Sequence, residues 1–401
     1  MFDLLKGVRV VELTTIVLGP MAGQILADFG ADVVKIEAPG GDLARHVEPR
    51  SEAGESSMFV NCNRNKQSIV IDLKTQEGRE VLKRLISQAD VFLHNMRMKA
   101  VHKLGFDAAT LRAINPGLIY CSAIGFGSDG PYADRPAYDD VIQAASGIAH
   151  LPTYTGAEPA YVPGVIADKV AALYAANAIS AALYHKAQTG QGVEIEVPMF
   201  EVMTSFVMTE HLAAASFEQD AKPGYRRLLN RHRRPFKSSD GWVAVLPYTE
   251  AHWRSTLEEI ERADVIDQEW FKSASSRSSH VAEMYEILAQ VMPKRSTDDW
   301  INTFERLDVP HSRVSSLGDL LNDPHLQAID FFGVTDDTTG RARSVPQPVK
   351  VNGAHTTVDR AAPLLSENSI SLLQELGYEP TTVHDMIERG VVQAPPLKDG
   401  E

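Results

Sequence analysis

A lone carboxylate, Asp168, stands in Pro163-Gly164-Val165-Ile166-Ala167-Asp168-Lys169-Val170, between an apolar, glycine-containing entry and a run of small apolar residues reaching about Tyr184. Ala and Leu are the strongest helix formers, and apolar residues on nearly every face of this run predict a helix buried all round. A carboxylate at the mouth of such a helix has two readings. Asp is a favoured N-cap, satisfying free backbone N–H groups. A carboxylate in a shielded pocket can also act as a nucleophile or base. The two are compatible, because a helix N-terminus stabilises negative charge and would keep Asp168 ionised.

Other groups with chemical potential cluster at predicted strand ends. They are Arg45 in the turn 39–45, Asn63-Arg64-Asn65-Lys66, and Asn95-Met96-Arg97-Met98-Lys99. Ligands of open α/β sheets bind at strand ends, helix N-termini there hold phosphates, and the Arg fork matches phosphate oxygens. On an acidic chain such clustering predicts an anionic ligand. Gly125-Phe126-Gly127-Ser128-Asp129-Gly130 has the spacing of a dinucleotide fingerprint. Pro131-Tyr132-Ala133-Asp134-Arg135-Pro136 follows where that fingerprint requires a helix, which excludes the NAD reading. The glycines then serve close backbone approach. Tyr138-Asp139-Asp140 opens a further apolar helix, where acidic residues complement the dipole. The histidines lack metal-ligand spacing, so no metal site is expected, and no G-x-S-x-G element marks a serine hydrolase. Cys62 and Cys121 are too few for a disulfide framework or a Cys-based zinc site and read as small buried hydrophobes.

The elements that must position these residues follow from the chain's pattern. At 401 residues, two domains are expected. With 53 acidic against 39 basic residues the net charge is −14, which disfavours nucleic acid and anionic membranes as partners. The N-terminus is charged where a signal peptide needs an apolar core. No run of about eighteen uncharged apolar residues occurs, and the alanine-rich helix reads as too rich in Ala and Tyr to span a bilayer. A soluble, cytoplasmic protein is expected. Short apolar strands at 8–13, 33–36, 68–72, 91–93 and 118–121 alternate with helices at 21–29, 78–87 and 108–114. That alternation predicts a doubly wound α/β domain with a parallel sheet over residues 1–205. A polar linker is expected over 206–240, then a smaller domain of one strand and several amphipathic helices over 241–325.

Several segments, taken in order, form a specific set: 13–20 (Leu-Thr-Thr-Ile-Val-Leu-Gly-Pro), Gly30-Ala31-Asp32-Val33, Gly40-Gly41-Asp42 and Asn65-Lys66-Gln67-Ser68. Ile71-Asp72-Leu73-Lys74, Ala89-Asp90-Val91 with Asn95, Gly125-Phe126-Gly127 with Gly130-Pro131, and Val165-Ile166-Ala167-Asp168 complete it. In them the chain resembles the class III CoA-transferases, the family of formyl-CoA transferase, L-carnitine CoA-transferase and the related α-methylacyl-CoA racemases. The resemblance spans most of the chain and is densest in its first 200 residues.

The resemblance implies a Rossmann-like large domain, completed by residues 330–401, a smaller α+β domain, and two subunits interlocked as a homodimer. It implies that Asp168 is the catalytic nucleophile. The substrates would be a coenzyme A thioester and small carboxylic acids, with no tightly bound cofactor. The CoA site it implies comprises the backbone of Ile16, Val17 and Leu18 with Ile71, Leu73, Lys74, Asn95, Arg97, Lys103, Tyr138 and Asp139. Lys103 falls where formyl-CoA transferase has an arginine. Ala38 falls where it has another, a contact then absent or supplied by Arg45. N–H donors for the tetrahedral oxygens are expected from the 125–130 loop, Gly125 and Gly127 included. Racemases carry Gly-His-Asp where this chain has Ala137-Tyr138-Asp139, and α-proton exchange needs two opposed acid–base groups. A transferase is therefore expected, with a racemase or a non-catalytic CoA-binding protein as alternatives. Arg233 and Arg234 stand near the place of the glycine run that closes over oxalate. They read either as bidentate partners of a dicarboxylate such as succinate or mesaconate or as solvated linker charges.

Overall fold

Six short runs, most of them rich in the β-branched and aromatic residues that suit a pleated, half-buried surface, pair as one sheet. They are β1 (Arg9–Leu13), β2 (Asp32–Glu37), β3 (Lys66–Val70), β4 (Val91–His94), β5 (Ile119–Ile124) and β6 (Glu194–Pro198). The order is β3-β2-β1-β4-β5-β6, and every neighbouring pair is parallel. This computed structural model describes residues 1–51, 54–337 and 340–394. The chain forms two units. The first comprises Met1–Ser146, Tyr161–Phe206 and the residues from His325 onward; the second comprises Gly147–Ala160 and Val207–Pro324.

In the first unit the helices are α1 (Leu18–Asp28), α2 (Ser57–Asn63), α3 (Gln76–Ser87), α4 (Met98–Leu104), α5 (Ala108–Ile114), α6 (Asp139–Ala145), α7 (Ile166–Thr189) and α8 (Met199–His211), the last running on into the second unit. Parallel strands need crossovers, and these helices supply them. α3 is capped by Thr75, whose hydroxyl accepts the Gly78 N–H. It buries Val81, Leu82, Leu85 and Ile86 against Val34, Ile36, Ile69 and Phe92. Each such side chain contributes roughly 1.5–3 kcal/mol of burial free energy. Leu372, Leu373, Val383 and Met386, from two helices near the C-terminus, join the same core.

α1 and α7 pack on each other, α1 on β1, β2 and β4 and α7 on β5 and β6. By length and composition alone α7 could cross a membrane. Packing decides otherwise for one side of it, where Ala167, Ala171, Ala172, Ala175, Ala176, Ile179 and Ala182 are buried. The expectation of burial all round fails: Leu173, Tyr174 and Tyr184 are 55%, 47% and 71% exposed. Alanine suits a close interface and an exposed helix face alike, so the run could not reveal which side met the sheet.

In the second unit β7 (Phe236–Lys237), β8 (Trp242–Val245) and β9 (His311–Arg313) form an antiparallel sheet. Its core gathers Trp253, Phe271, Tyr285, Trp300 and Phe304 from the surrounding helices.

Candidate active site

α7 begins at Ile166 with Val165 in the cap position and no side-chain cap of its own. Asp168 is therefore not the N-cap; it lies in the first turn. Its backbone N–H donates instead to Asp139 Oδ2 at 3.0 Å. Asp139, 6% exposed, opens α6. Its Oδ1 accepts from Gln143 Nε2 at 2.6 Å. Gln143, one helical turn on, also accepts the Val162 N–H at 2.9 Å and reaches the carbonyls of Val162 and Gly164. One carboxylate and one carboxamide thus hold the entry strand and the first turn of α7.

The Asp168 carboxylate itself has no hydrogen-bond partner among the described residues. Burial, and next the negative charge of Asp139, push its pKa up to about 7. The expectation that the helix N-terminus keeps it ionised is overturned. A helix end offers a carboxylate about 0.3–1 kcal/mol, less than desolvation and a like charge together remove.

The strand order reverses between β1 and β4, and ligands of open sheets bind at such a switch point. There the loop after β1 is held residue by residue. The Thr14 carbonyl accepts from Lys35 Nζ (2.9 Å), Asn95 both accepts the Thr15 N–H (3.0 Å) and donates to the Thr15 carbonyl (2.8 Å), and Asp42 accepts the Ile16 N–H (3.0 Å). Val17 and Leu18 bury their side chains, so they offer only backbone. Of the other expected CoA residues, Arg97, Lys74, Lys103 and Tyr138 are exposed, Leu73 is half-buried and Ile71 is fully buried. Asn95 and Asp139 have their polar atoms committed to Thr15 and to Asp168 with Gln143, so both act as positioning groups.

Three cations expected to face an anion are buried in ion pairs instead. Arg45 donates to both Glu37 oxygens (2.9 and 2.8 Å) and to Glu55, and stacks over the Phe59 ring. It is not available to replace the contact missing at Ala38. Arg64 pairs with Asp28, and Lys66 donates to Glu12 Oε1 (2.8 Å), the Pro20 carbonyl and Asn63. Lys66 opens β3, at the opposite end of that strand from Ile71.

In the glycine loop, a Cβ on Gly125 would collide with Ala137, which lets this backbone lie directly against the residue before Tyr138. The Gly127 N–H donates to Glu201 Oε1 (3.0 Å) and that of Ser128 to Glu196 Oε1 (2.9 Å). These two donors hold the loop and do not project toward a substrate oxygen, contrary to the expectation for Gly127. Arg233 and Arg234 lie in the second unit with no ion pair among the described residues. Sequence reasoning passed over Gln143, although its i,i+4 spacing from Asp139 is the helical contact distance. It also passed over Lys35, Glu196 and Glu201, whose partners are remote in sequence.

The chain matches the family model described as CoA-transferase family III over residues 5–369. It is 31% identical over 385 residues to succinate–glutarate CoA-transferase of Agrobacterium fabrum, covering 93% of this chain and 95% of that one. It is 30% identical over 395 residues to succinyl-CoA:mesaconate CoA-transferase of Haloarcula marismortui, covering 94% and 98%. The crystal structure of a CAIB/BAIF family protein from Brucella suis aligns with a TM-score of 0.78 at 31% identity, covering 93% of this chain and 99% of that chain. With the parallel sheet, the switch-point loop and the Asp168 turn already in place, these matches make the chain a member of CoA-transferase family III and an enzyme of that class.

Proposed function

We propose that the enzyme moves CoA from an acyl-CoA thioester to a free carboxylic acid through covalent intermediates on Asp168. The carboxylate attacks the thioester carbonyl, the C–S bond breaks, and a mixed anhydride and CoA thiolate form. The thiolate then attacks the Asp168 carbonyl, releasing the donor acid and leaving an aspartyl-CoA thioester. The acceptor carboxylate attacks that thioester in turn, and the returning thiolate takes the new acyl group and frees Asp168. Splitting the exchange in this way replaces one hard step by easier ones. The observation that carries the reading is a carboxylate with no hydrogen-bond partner of its own among the described residues, held by its backbone on Asp139, with burial and the Asp139 charge raising its pKa. Above about pH 7 it is ionised and free to attack.

CoA would lie along the backbone of Ile16–Leu18 and reach Leu73, Lys74, Arg97, Lys103 and Tyr138, the exposed or half-buried members of the expected set. Dicarboxylic acids such as succinate or mesaconate are the acceptor class we favour. Relatives over nearly the whole chain are a succinate–glutarate and a succinyl-CoA:mesaconate CoA-transferase, and Arg233 and Arg234 are of the residue type that pairs a second carboxylate bidentately. The racemase reading is disfavoured by Tyr138, which stands where a racemase has its histidine, and by Asp139, whose carboxylate is engaged by Asp168 and Gln143.

The test is a matrix of acyl-CoA donors against mono- and dicarboxylic acids, read by mass spectrometry of the new thioester, with hydroxylamine added to trap the enzyme. A hydroxamate at residue 168 that requires acyl-CoA is expected. α-Hydrogen exchange with deuterated water in the absence of any acceptor acid would instead favour the racemase. We also propose a homodimer, interlocked as in the family. The exposed Leu173, Tyr174 and Tyr184 on α7 support it. Light scattering is expected to give twice the 44.0 kDa chain mass, and a monomer at micromolar concentration would count against it.

A further inference from the structure

The Gly40-Gly41-Asp42 segment, one of the marks of the resemblance, belongs to none of the chemistry above, yet it converges on the switch-point loop. Ile16 has φ +70°. For a β-branched residue that is a left-handed outlier, a strained conformation that persists only where its surroundings over-determine it. Gly40 and Gly41 both have positive φ (+94° and +80°). The turn they make brings Asp42 back beneath the loop, where its Oδ1 accepts the Ile16 N–H at 3.0 Å. The same oxygen accepts the Ala44 N–H, and Oδ2 pairs with Lys35 Nζ at 2.9 Å. Lys35 is fully buried and also donates to the Thr14 carbonyl. The Asp42 N–H donates to Glu37 Oε2, and Glu37 is itself fastened by Arg45 and Ser68. Asp42 is thus set from both ends, and it grips the one strained residue of the loop.

We propose that Asp42 is a positioning residue for acyl-CoA. It holds Ile16 in the left-handed conformation, and this aims the backbone of Val17 and Leu18 at the entrance of α1 toward the substrate. Lys35 orients Asp42 and ties down the preceding residue. The inference rests on the reading that the Ile16–Leu18 backbone meets CoA.

The experiment measures KM for the acyl-CoA and kcat separately, with the intact enzyme and the best donor–acceptor pair from the matrix. Asp42→Ala is expected to raise the acyl-CoA KM at least tenfold while leaving the acceptor KM within threefold. Asp42→Asn keeps an oxygen to accept the Ile16 N–H but turns its NH₂ toward the buried Lys35, and is expected to raise the acyl-CoA KM by a smaller factor than Asp42→Ala. In the Asp42→Ala background, Ile16→Gly removes the left-handed penalty and is expected to restore at least a third of the lost affinity. A merely structural Asp42 would not be rescued in this way. An unchanged acyl-CoA KM in Asp42→Ala, or no recovery on adding Ile16→Gly, overturns the proposal. Should Asp42→Ala fail to fold, Asp42→Asn decides: a rise in its acyl-CoA KM with the acceptor KM within threefold supports the proposal, and no rise, or a rise shared equally by the acceptor KM, overturns it. If the unaltered enzyme transfers no CoA with any pair, the functional reading itself has failed, a result separate from any outcome at Asp42.

Discussion

Asp168→Asn is expected to lower kcat by about 10⁴-fold or more, the loss typical when a covalent nucleophile is removed. The assay must include mass spectrometry to exclude deamidation of the new amide. The same substitution is expected to stabilise the fold, with a pH dependence whose sign is set by the raised pKa. The native state binds a proton at Asp168 up to about pH 7, whereas an unfolded aspartate releases it near pH 4. Wild-type stability therefore falls between those values as pH rises. The variant, having no charge to bury, should match the wild type below about pH 4 and exceed it above pH 7, by up to about 4 kcal/mol, the linkage free energy between titration near 4 and near 7. Thermal unfolding at pH 4, 6 and 8 checks this. Full transferase activity in the variant would sink the covalent mechanism. Equal stability at pH 8 would sink the account of a strained, partnerless carboxylate.

Asp139→Asn is expected to separate the two things Asp139 does. Its charge is the second cause of the raised Asp168 pKa, so removing it should move the acidic limb of the kcat/KM profile below 7, since that profile reports groups of the free enzyme. Its two oxygens accept from Asp168 N–H and Gln143 Nε2, and a carboxamide can satisfy only one of them. One donor is then left facing an amide NH₂, which costs about 1–3 kcal/mol. We expect kcat/KM to fall about tenfold or more at pH 8, with the loss shrinking toward pH 5 as the shifted limb compensates. A limb that stays in place, combined with a rise confined to the acyl-CoA KM, would return Asp139 to the role of CoA contact that the family resemblance implied.

The alternation of strands and helices in the first unit was readable because it is local. The apolar runs of β1, β2 and β4, the stripe of α3 and the glycine stop at Gly30, which has φ +103°, each depend on residues a few positions apart. β6 escaped because Glu194 and Glu196 alternate with Ile195 and Val197 at the sheet edge, and glutamate is depleted in strands. Asp168 itself was readable as an isolated acid at the start of an alanine-rich helix. Its cap partner, Asp139, lies 29 residues away.

The parallel α/β pattern and the family are written in the sequence alone, which also offers Asp168 as the candidate carboxylate. Only the tertiary structure decided which charges are tools and which are scaffolding. Arg45, Arg64 and Lys66 resemble phosphate ligands in a linear chain, yet Glu37, Asp28 and Glu12 neutralise them in the interior. Arg97, Lys74 and Lys103 are of the same residue types and remain exposed. The physical reason is that helix and strand periodicity is written in spacings of two to four residues. Desolvation and ion pairing are instead settled at about 3 Å between groups that may be tens of residues apart.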